Sequence, residues 1–162
     1  MTETKKTSLG PTGDQVRANV ARLRSALGLS KKDLSDRVAA LGRPIPPLGI
    51  TRLEAGTRRV DADDLMALSL ALGVSPVTLL LPVNARGETE VTGAGSVSSH
   101  AAWMWAWCSD PLTLPEGEEE ANRATTEFLL NSRPIGLFFP QGDDRLAPWA
   151  PRRRQVDGQG LD

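Results

Sequence analysis

One cysteine, Cys108, and one histidine, His100, stand in a chain of 162 residues. A single thiol excludes an internal disulfide and any cysteine-built zinc cluster, and it suits a reducing compartment. A single histidine leaves little room for acid–base or nucleophilic chemistry. Cys108, eight residues after His100, matches no nucleophile–base pattern, and Asp143–Asp144 is an isolated acidic pair in a stretch read as loop. There is no glycine-rich phosphate loop and no metal-ligand spacing, so the expectation is no enzyme and no cofactor. Long apolar runs are also missing: none approaches the roughly 20 residues of a membrane span, and the start of the chain lacks the apolar core of a signal peptide. The expectation is a cytoplasmic protein with no membrane partner. A net charge of −1 argues against generic binding to nucleic acid.

What the chain has is an uneven distribution of that charge. Residues 1–9 carry +1, residues 10–82 carry +3 (10 basic, 7 acidic), and residues 83–162 carry −5 (7 basic, 12 acidic). Two regions with different tasks are implied. The 15 glycines and 12 prolines add substantial loop content, and they fall where they can act as punctuation.

Residues 1–13, with Gly10, Pro11 and Gly13, read as a disordered arm. From Asp14, a candidate cap, Val16, Val20, Leu23 and Leu27 recur at helical spacing up to Gly28. Ser30 with Asp33 forms a capping box ahead of Leu34, Val38 and Leu41, and Gly42 stops that helix. Arg43-Pro44-Ile45 is an extended connector, since a residue before proline avoids helix. Pro46 and Pro47 preset a third helix, which ends near Gly56. Asp61 and Asp64 start a fourth with Leu65, Leu68 and Leu72, and Ser75-Pro76 starts a short fifth with Val77, Leu80 and Leu81. The fold class expected is all-α, with five helices over 14–83.

The stretch 46–56, PPLGITRLEAG, carries chemistry as well as a helix. Ile50 and Leu53 share a buried face, Thr51 and Arg52 lie beside them, and the basic pair Arg58–Arg59 follows. A short helix with two buried aliphatics, exposed neighbours and a basic exit loop has what a DNA recognition helix needs. Gly49 inside it costs about 1 kcal/mol of propensity against alanine, so close packing or close approach to DNA must require it.

Residues 16–82 resemble the lambda-repressor-like, Xre-type helix-turn-helix family. The resemblance rests on Val20 and Leu23-Arg24, on LSKKDLSDRVA at 29–39, on ITRLEAGTRRV at 50–60, and on DLMALSLALGVSPVTLL at 64–80. AALGRPIP makes the connector between the second and third helices longer than the family's usual turn. The resemblance implies that Pro47, Leu48, Thr51 and Arg52 face bases. Arg52 and Thr51 would carry direct readout, and Leu48 could touch a thymine methyl. It implies that Lys31, at a helix N-terminus, meets phosphate. Lys32, Arg43, Arg58 and Arg59 are further candidates for the DNA backbone. Glu54 would brace an arginine or a backbone amide. Solvated surface charge is the competing reading for each of these cations, and protein–protein interaction is the competing use of the fold.

The second half is a small, partly helical appendage. Residues 84–98, NARGETEVTGAGSVS, read as a flexible linker. Residues 99–132 hold a tryptophan helix, with Trp103 and Trp107 four apart beside His100, and an acidic helix whose Glu116–Glu120 suit a helix N-terminus. The tryptophans either pack on the rest of the chain or offer a dimerisation surface or a pocket for a partner protein or small effector. Residues 133–162, including Arg152–Arg154, read as a loop-rich, disordered tail. Two functions fit. One is a transcriptional regulator, a repressor binding double-stranded DNA at a pseudo-palindromic operator as a homodimer. The other is an antitoxin-like or interaction module that grips a protein partner through the tryptophan and acidic helices.

Overall fold

The computed structural model describes residues 9–135. Over that span the chain forms seven helices and one two-stranded antiparallel sheet, so the all-α expectation holds for residues 9–82 and not for 83–135. The first helix, α1 (Pro11–Ala26), begins three residues before Asp14. Pro11 sits at the first helical position, where its missing N–H leaves no bond unmade and its fixed φ already suits a helix. Asp14 is therefore not the cap. Its amide bonds to the Gly10 carbonyl at 3.0 Å, and its carboxylate meets Arg17 Nε at 2.6 Å.

The capping box of α2 (Lys31–Ala40) is present in both halves. Ser30 Oγ accepts from the Asp33 amide at 3.1 Å, and Asp33 Oδ2 accepts from the Ser30 amide at 2.8 Å. Leu27 and Leu41, expected in the buried stripes of α1 and α2, are about half exposed at 50% and 49%. Each sits at the C-cap, where the chain turns away from the helical path. The connector that follows α2 is anchored. Ile45 is 1% exposed, and its carbonyl accepts from the buried Ser35 hydroxyl at 2.6 Å.

That anchor sets the next helix, α3 (Pro47–Glu54), whose Ile50 and Leu53 are fully buried. Gly49 lies directly over the connector: a Cβ there would be 2.9 Å from Ile45 Cγ2. The glycine is required by packing on the protein side of the helix. Next come α4 (Ala62–Leu72), with Asp61 Oδ1 accepting from the Asp64 amide at 2.8 Å, and α5 (Pro76–Leu80). Leu79 carries the burial of α5, at 0% exposure, with Leu81 at 5% just after it; Val77 and Leu80 are half-buried.

The core is one cluster drawn from all five helices, with Val20, Leu34, Val38, Leu53, Leu68 and Leu79 at its centre. Each side chain of this size contributes about 1.5–3 kcal/mol when fully buried. One polar group joins them. Asn19 is 1% exposed, and its Nδ2 lies 3.1, 3.1 and 2.8 Å from the carbonyl oxygens of Thr78, Leu79 and Leu81. Two amide protons shared among three carbonyls close the end of α5 onto α1.

The expected flexible linker is instead a hairpin, β1 (Glu88–Val91) and β2 (Gly95–Ser98), paired in the register Glu88↔Ser98 to Val91↔Gly95. The glycines that suggested flexibility make the turn: Gly93 and Gly95 have φ of 89° and 74°, which cost a glycine little. The hairpin tip docks on α1. The Thr92 amide donates to Thr12 Oγ1 at 3.0 Å, and the Thr12 amide donates back to Thr92 Oγ1 at 3.3 Å. Residues 11–13, expected in the disordered arm, are instead the first residues of α1.

The chain continues into α6 (Ser99–Ala106). Trp103 Nε1 donates to the Pro82 carbonyl at 3.1 Å, and its ring meets that of Trp107 edge-on at 5.5 Å and 63°. Trp103 therefore packs at the end of α5, while Trp105 and Trp107 remain 40% and 50% exposed. In α7 (Glu118–Ser132) no residue is buried; Ala121, Ala124, Phe128 and Leu129 form a half-buried stripe. Glu118–Glu120 fill its first turn, where the helix dipole favours acids. Residues 133–135 carry no helix or strand and lie outside the unit that ends at Ser132. The tail from residue 136 and the first eight residues, both expected to be disordered, lie outside the described residues.

Candidate nucleic-acid interface

The buried side of α3 fixes which of its residues meet solvent. With Ile50 and Leu53 at 0% exposure, Pro47, Leu48 and Arg52 point outward, and Thr51 is half-buried. Leu48 is 59% exposed. The Thr51 hydroxyl donates to the Pro47 carbonyl at 3.0 Å, one turn back on its own helix. Arg52 makes no side-chain hydrogen bond or ion pair among the described residues. An outward guanidinium with five free donors beside an exposed leucine is the chemical content of this face.

The orientation of α3 is locked at its end by Glu54. Arg24 reaches it from α1: Nε to Oε1 is 2.5 Å and Nη2 to Oε2 is 3.0 Å, a bidentate pair only 15% and 10% exposed. Arg24 Nη1 also donates to the Leu29 carbonyl at 2.7 Å. The hydrogen bond to Glu54 raises the guanidinium pKa further, against a smaller opposing cost of burial. Glu54 thus braces an arginine, as the resemblance implied. The sequence could not say which one, because the partner lies thirty positions upstream.

The five candidate backbone cations divide into two groups. Lys31, at the first position of α2, is 40% exposed with Nζ 3.8 Å from Glu54 Oε2. Lys32 pairs with Asp36 at 2.5 Å across one turn, both mostly exposed, and Asp36 raises its pKa. Such a surface pair is worth little and releases its lysine readily. Arg59 is exposed and has no partner among the described residues.

Arg43 and Arg58, with side chains 39% and 31% exposed, are tied to the fold by one buried acid. Asp64, 2% exposed at its side chain, takes Arg43 Nε on Oδ1 at 2.8 Å and Arg58 Nη2 on Oδ2 at 2.8 Å. Arg43 also meets Asp61 at 2.5 Å. Asp64 therefore does not reciprocate the cap of Asp61; its carboxylate ties the connector, the α3–α4 loop and α4 together. Asp61 is held below the usual carboxylate range, first by the Asp64 amide and then by Arg43. Sequence reasoning found the two arginines and missed the acid that claims them, because a capping pair explained Asp64 without a long-range partner.

A shallow hollow on this face is lined by Pro46, Leu48, Gly49, Arg52, Thr57 and Arg58. It joins the outer side of α3 to the loop that follows. Its chemistry is a free guanidinium, an apolar side chain and a basic rim, with no acid.

Residues 20–79 match a family model described as Helix-turn-helix. The matched segment, 60 of the 162 residues, is similar to Xre- and lambda-repressor-like helix-turn-helix domains. No curated protein and no solved structure gives a match.

Proposed function

We propose that this helix-turn-helix protein is a sequence-specific transcriptional regulator, a repressor that binds a pseudo-palindromic operator as a homodimer. The observation that carries the reading is Arg52: an unpartnered guanidinium on the outer face of a short helix whose inner face is wholly buried. A bidentate contact from Arg52 to guanine, with Leu48 against a thymine methyl, gives the direct readout. Pro47 presents only its ring, and Thr51 keeps an acceptor lone pair outward. Lys31, beside Glu54 at the end of α3, and Arg59, in the loop that follows, contact phosphate, and Lys32 does so once it leaves Asp36. Arg43 and Arg58 act on DNA indirectly, by holding the α3–α4 loop through Asp64.

With one strong reader per half-site, two copies are needed for useful specificity, since each well-made bidentate contact discriminates by about 1–3 kcal/mol. The test is fluorescence anisotropy on a selected duplex and a scrambled one. Arg52→Ala should lose most discrimination between them while keeping its affinity for the scrambled duplex. Equal discrimination by Arg52→Ala and wild type would refute the assignment.

A second reading, an interaction module that grips a protein partner, is favoured by Trp105 and Trp107, which stay 40% and 50% exposed. A chain that remains monomeric in light scattering and enriches no duplex would favour it.

A further inference from the structure

We propose that the cavity between the first turn of α1, the loop at 57–62 and the hairpin tip binds a small amphipathic carboxylate, and that its occupancy weakens DNA binding. The second half of this proposal rests on the DNA-binding reading above. The first half does not.

The cavity has a volume of about 410 Å³, within the roughly 300–1,000 Å³ typical of small-molecule sites. Val16, Leu65 and Leu80 give it an apolar wall, and Arg17, Arg58 and Arg59 are among its lining residues. The one acid in that lining, Asp61, is already engaged by Arg43 at 2.5 Å. The balance is cationic over an apolar floor.

Arg58 supplies the specific signal. Its Nη2 is taken by Asp64 at 2.8 Å, but its Nη1 is buried without a hydrogen-bond partner among the described residues. Buried polar groups nearly always have partners, and a charged donor without one is costly to keep. As placed, Nη1 is closed to solvent, so a ligand oxygen in the cavity satisfies it only when the guanidinium turns outward. Arg17 is 39% exposed and bound to Asp14 through Nε, which leaves its terminal nitrogens for a second oxygen. The planar guanidinium fork suits a carboxylate, and the apolar wall selects one with a short aliphatic or aromatic body over a bare anion.

The same residues couple this cavity to the DNA face. Arg58 lines both the cavity and the hollow that contains Leu48 and Arg52. Arg17 lies against the α3–α4 loop so closely that a Cβ on Gly56 would be 3.2 Å from its Cδ and Nε. A carboxylate here lowers the positive potential of Arg58 and Arg59 next to the phosphate-facing loop, so the sign of the effect is weaker DNA binding.

Calorimetric titration of the full chain without DNA tests the site, with benzoate, hexanoate, inorganic phosphate and hexylamine as probes. The two carboxylates should bind, and phosphate and hexylamine should not. Arg17→Gln, which keeps the fold by circular dichroism and keeps DNA binding, should weaken benzoate by about ten-fold or more. Arg17→Glu should abolish benzoate binding and admit hexylamine. Failure of both carboxylates to bind, phosphate binding as well as they do, or unchanged benzoate affinity in both variants would each overturn the site. In anisotropy, saturating benzoate should lower operator affinity by about five-fold or more. Operator affinity unmoved by bound benzoate would overturn the coupling. A protein that binds benzoate but no operator at all would instead overturn the DNA-binding reading and leave the site standing.

Discussion

Arg58 and Asp64 are joined by a 2.8 Å ion pair across the loop that leaves α3, with the acid 2% exposed and the arginine 31% exposed at the side chain. This pair separates two neighbouring arginines that look alike in the sequence. Arg58→Ala should destabilise the fold by about 1–3 kcal/mol, because Asp64 loses a charged hydrogen bond while keeping Arg43. Arg59→Ala should leave stability unchanged and reduce the salt dependence of DNA binding by about one unit of slope. Urea unfolding and a salt titration of affinity, run on both variants, separate the two roles; the reverse assignment of effects would refute it.

The bidentate Arg24–Glu54 pair, 15% and 10% exposed, should behave as a buried ion pair. Glu54→Ala is expected to cost about 3–5 kcal/mol, because it leaves a guanidinium buried without its partner. The double replacement Arg24→Met, Glu54→Leu should recover most of that loss. A double-mutant cycle by chemical denaturation measures the coupling, and near-zero coupling would contradict the bracing role given to Glu54.

Gly49→Ala tests the packing of α3 on the connector before it. Propensity alone predicts a gain of about 1 kcal/mol. A Cβ placed 2.9 Å from Ile45 Cγ2 predicts a larger loss from overpacking, typically about 1–3 kcal/mol. The net expectation is a lower melting temperature, and a higher one would show that the connector yields.

Acid stability follows from two capping carboxylates. Asp33 is held below its ordinary pKa by the Ser30 hydroxyl and then the Ser30 amide, and Asp61 by the Asp64 amide and then Arg43. A carboxylate whose pKa is lower in the folded state adds stability above its unfolded value, about 3.9, and loses it as pH falls through the folded value. The melting temperature should therefore fall below about pH 4, and Asp33→Asn with Asp61→Asn should flatten that limb. An unaltered pH profile in the double variant would sink this origin for the acid sensitivity.

The helices of the first half were legible because their signals are local. Ser30 with Asp33, Pro47 at a first turn, and the Ile50/Leu53 pair each declare themselves within four positions. Asn19, Ser35 and Asp64 were not legible. Each is a buried polar group whose partners, Leu81, Ile45 and Arg43, are 62, 10 and 21 positions away. The hairpin at 88–98 was misread because glycine serves flexible linkers and tight turns alike; only the pairing of Val91 with Gly95 and the contact of Thr92 with Thr12 distinguish them. On the candidate interface, exposure of Leu48 and Arg52 followed from helical geometry, whereas the capture of Arg43 and Arg58 by Asp64 needed the tertiary fold.

Whether α3 reads DNA through Arg52 is tested most directly by selection from random duplexes, run in parallel with wild type and Arg52→Ala at about 150 mM salt, where screening is physiological. Wild type should enrich a palindrome with half-sites about one helical turn apart, and Arg52→Ala should lose a guanine at one position of each half-site while other positions persist. No enrichment by folded wild type, or the same motif from both proteins, would contradict it.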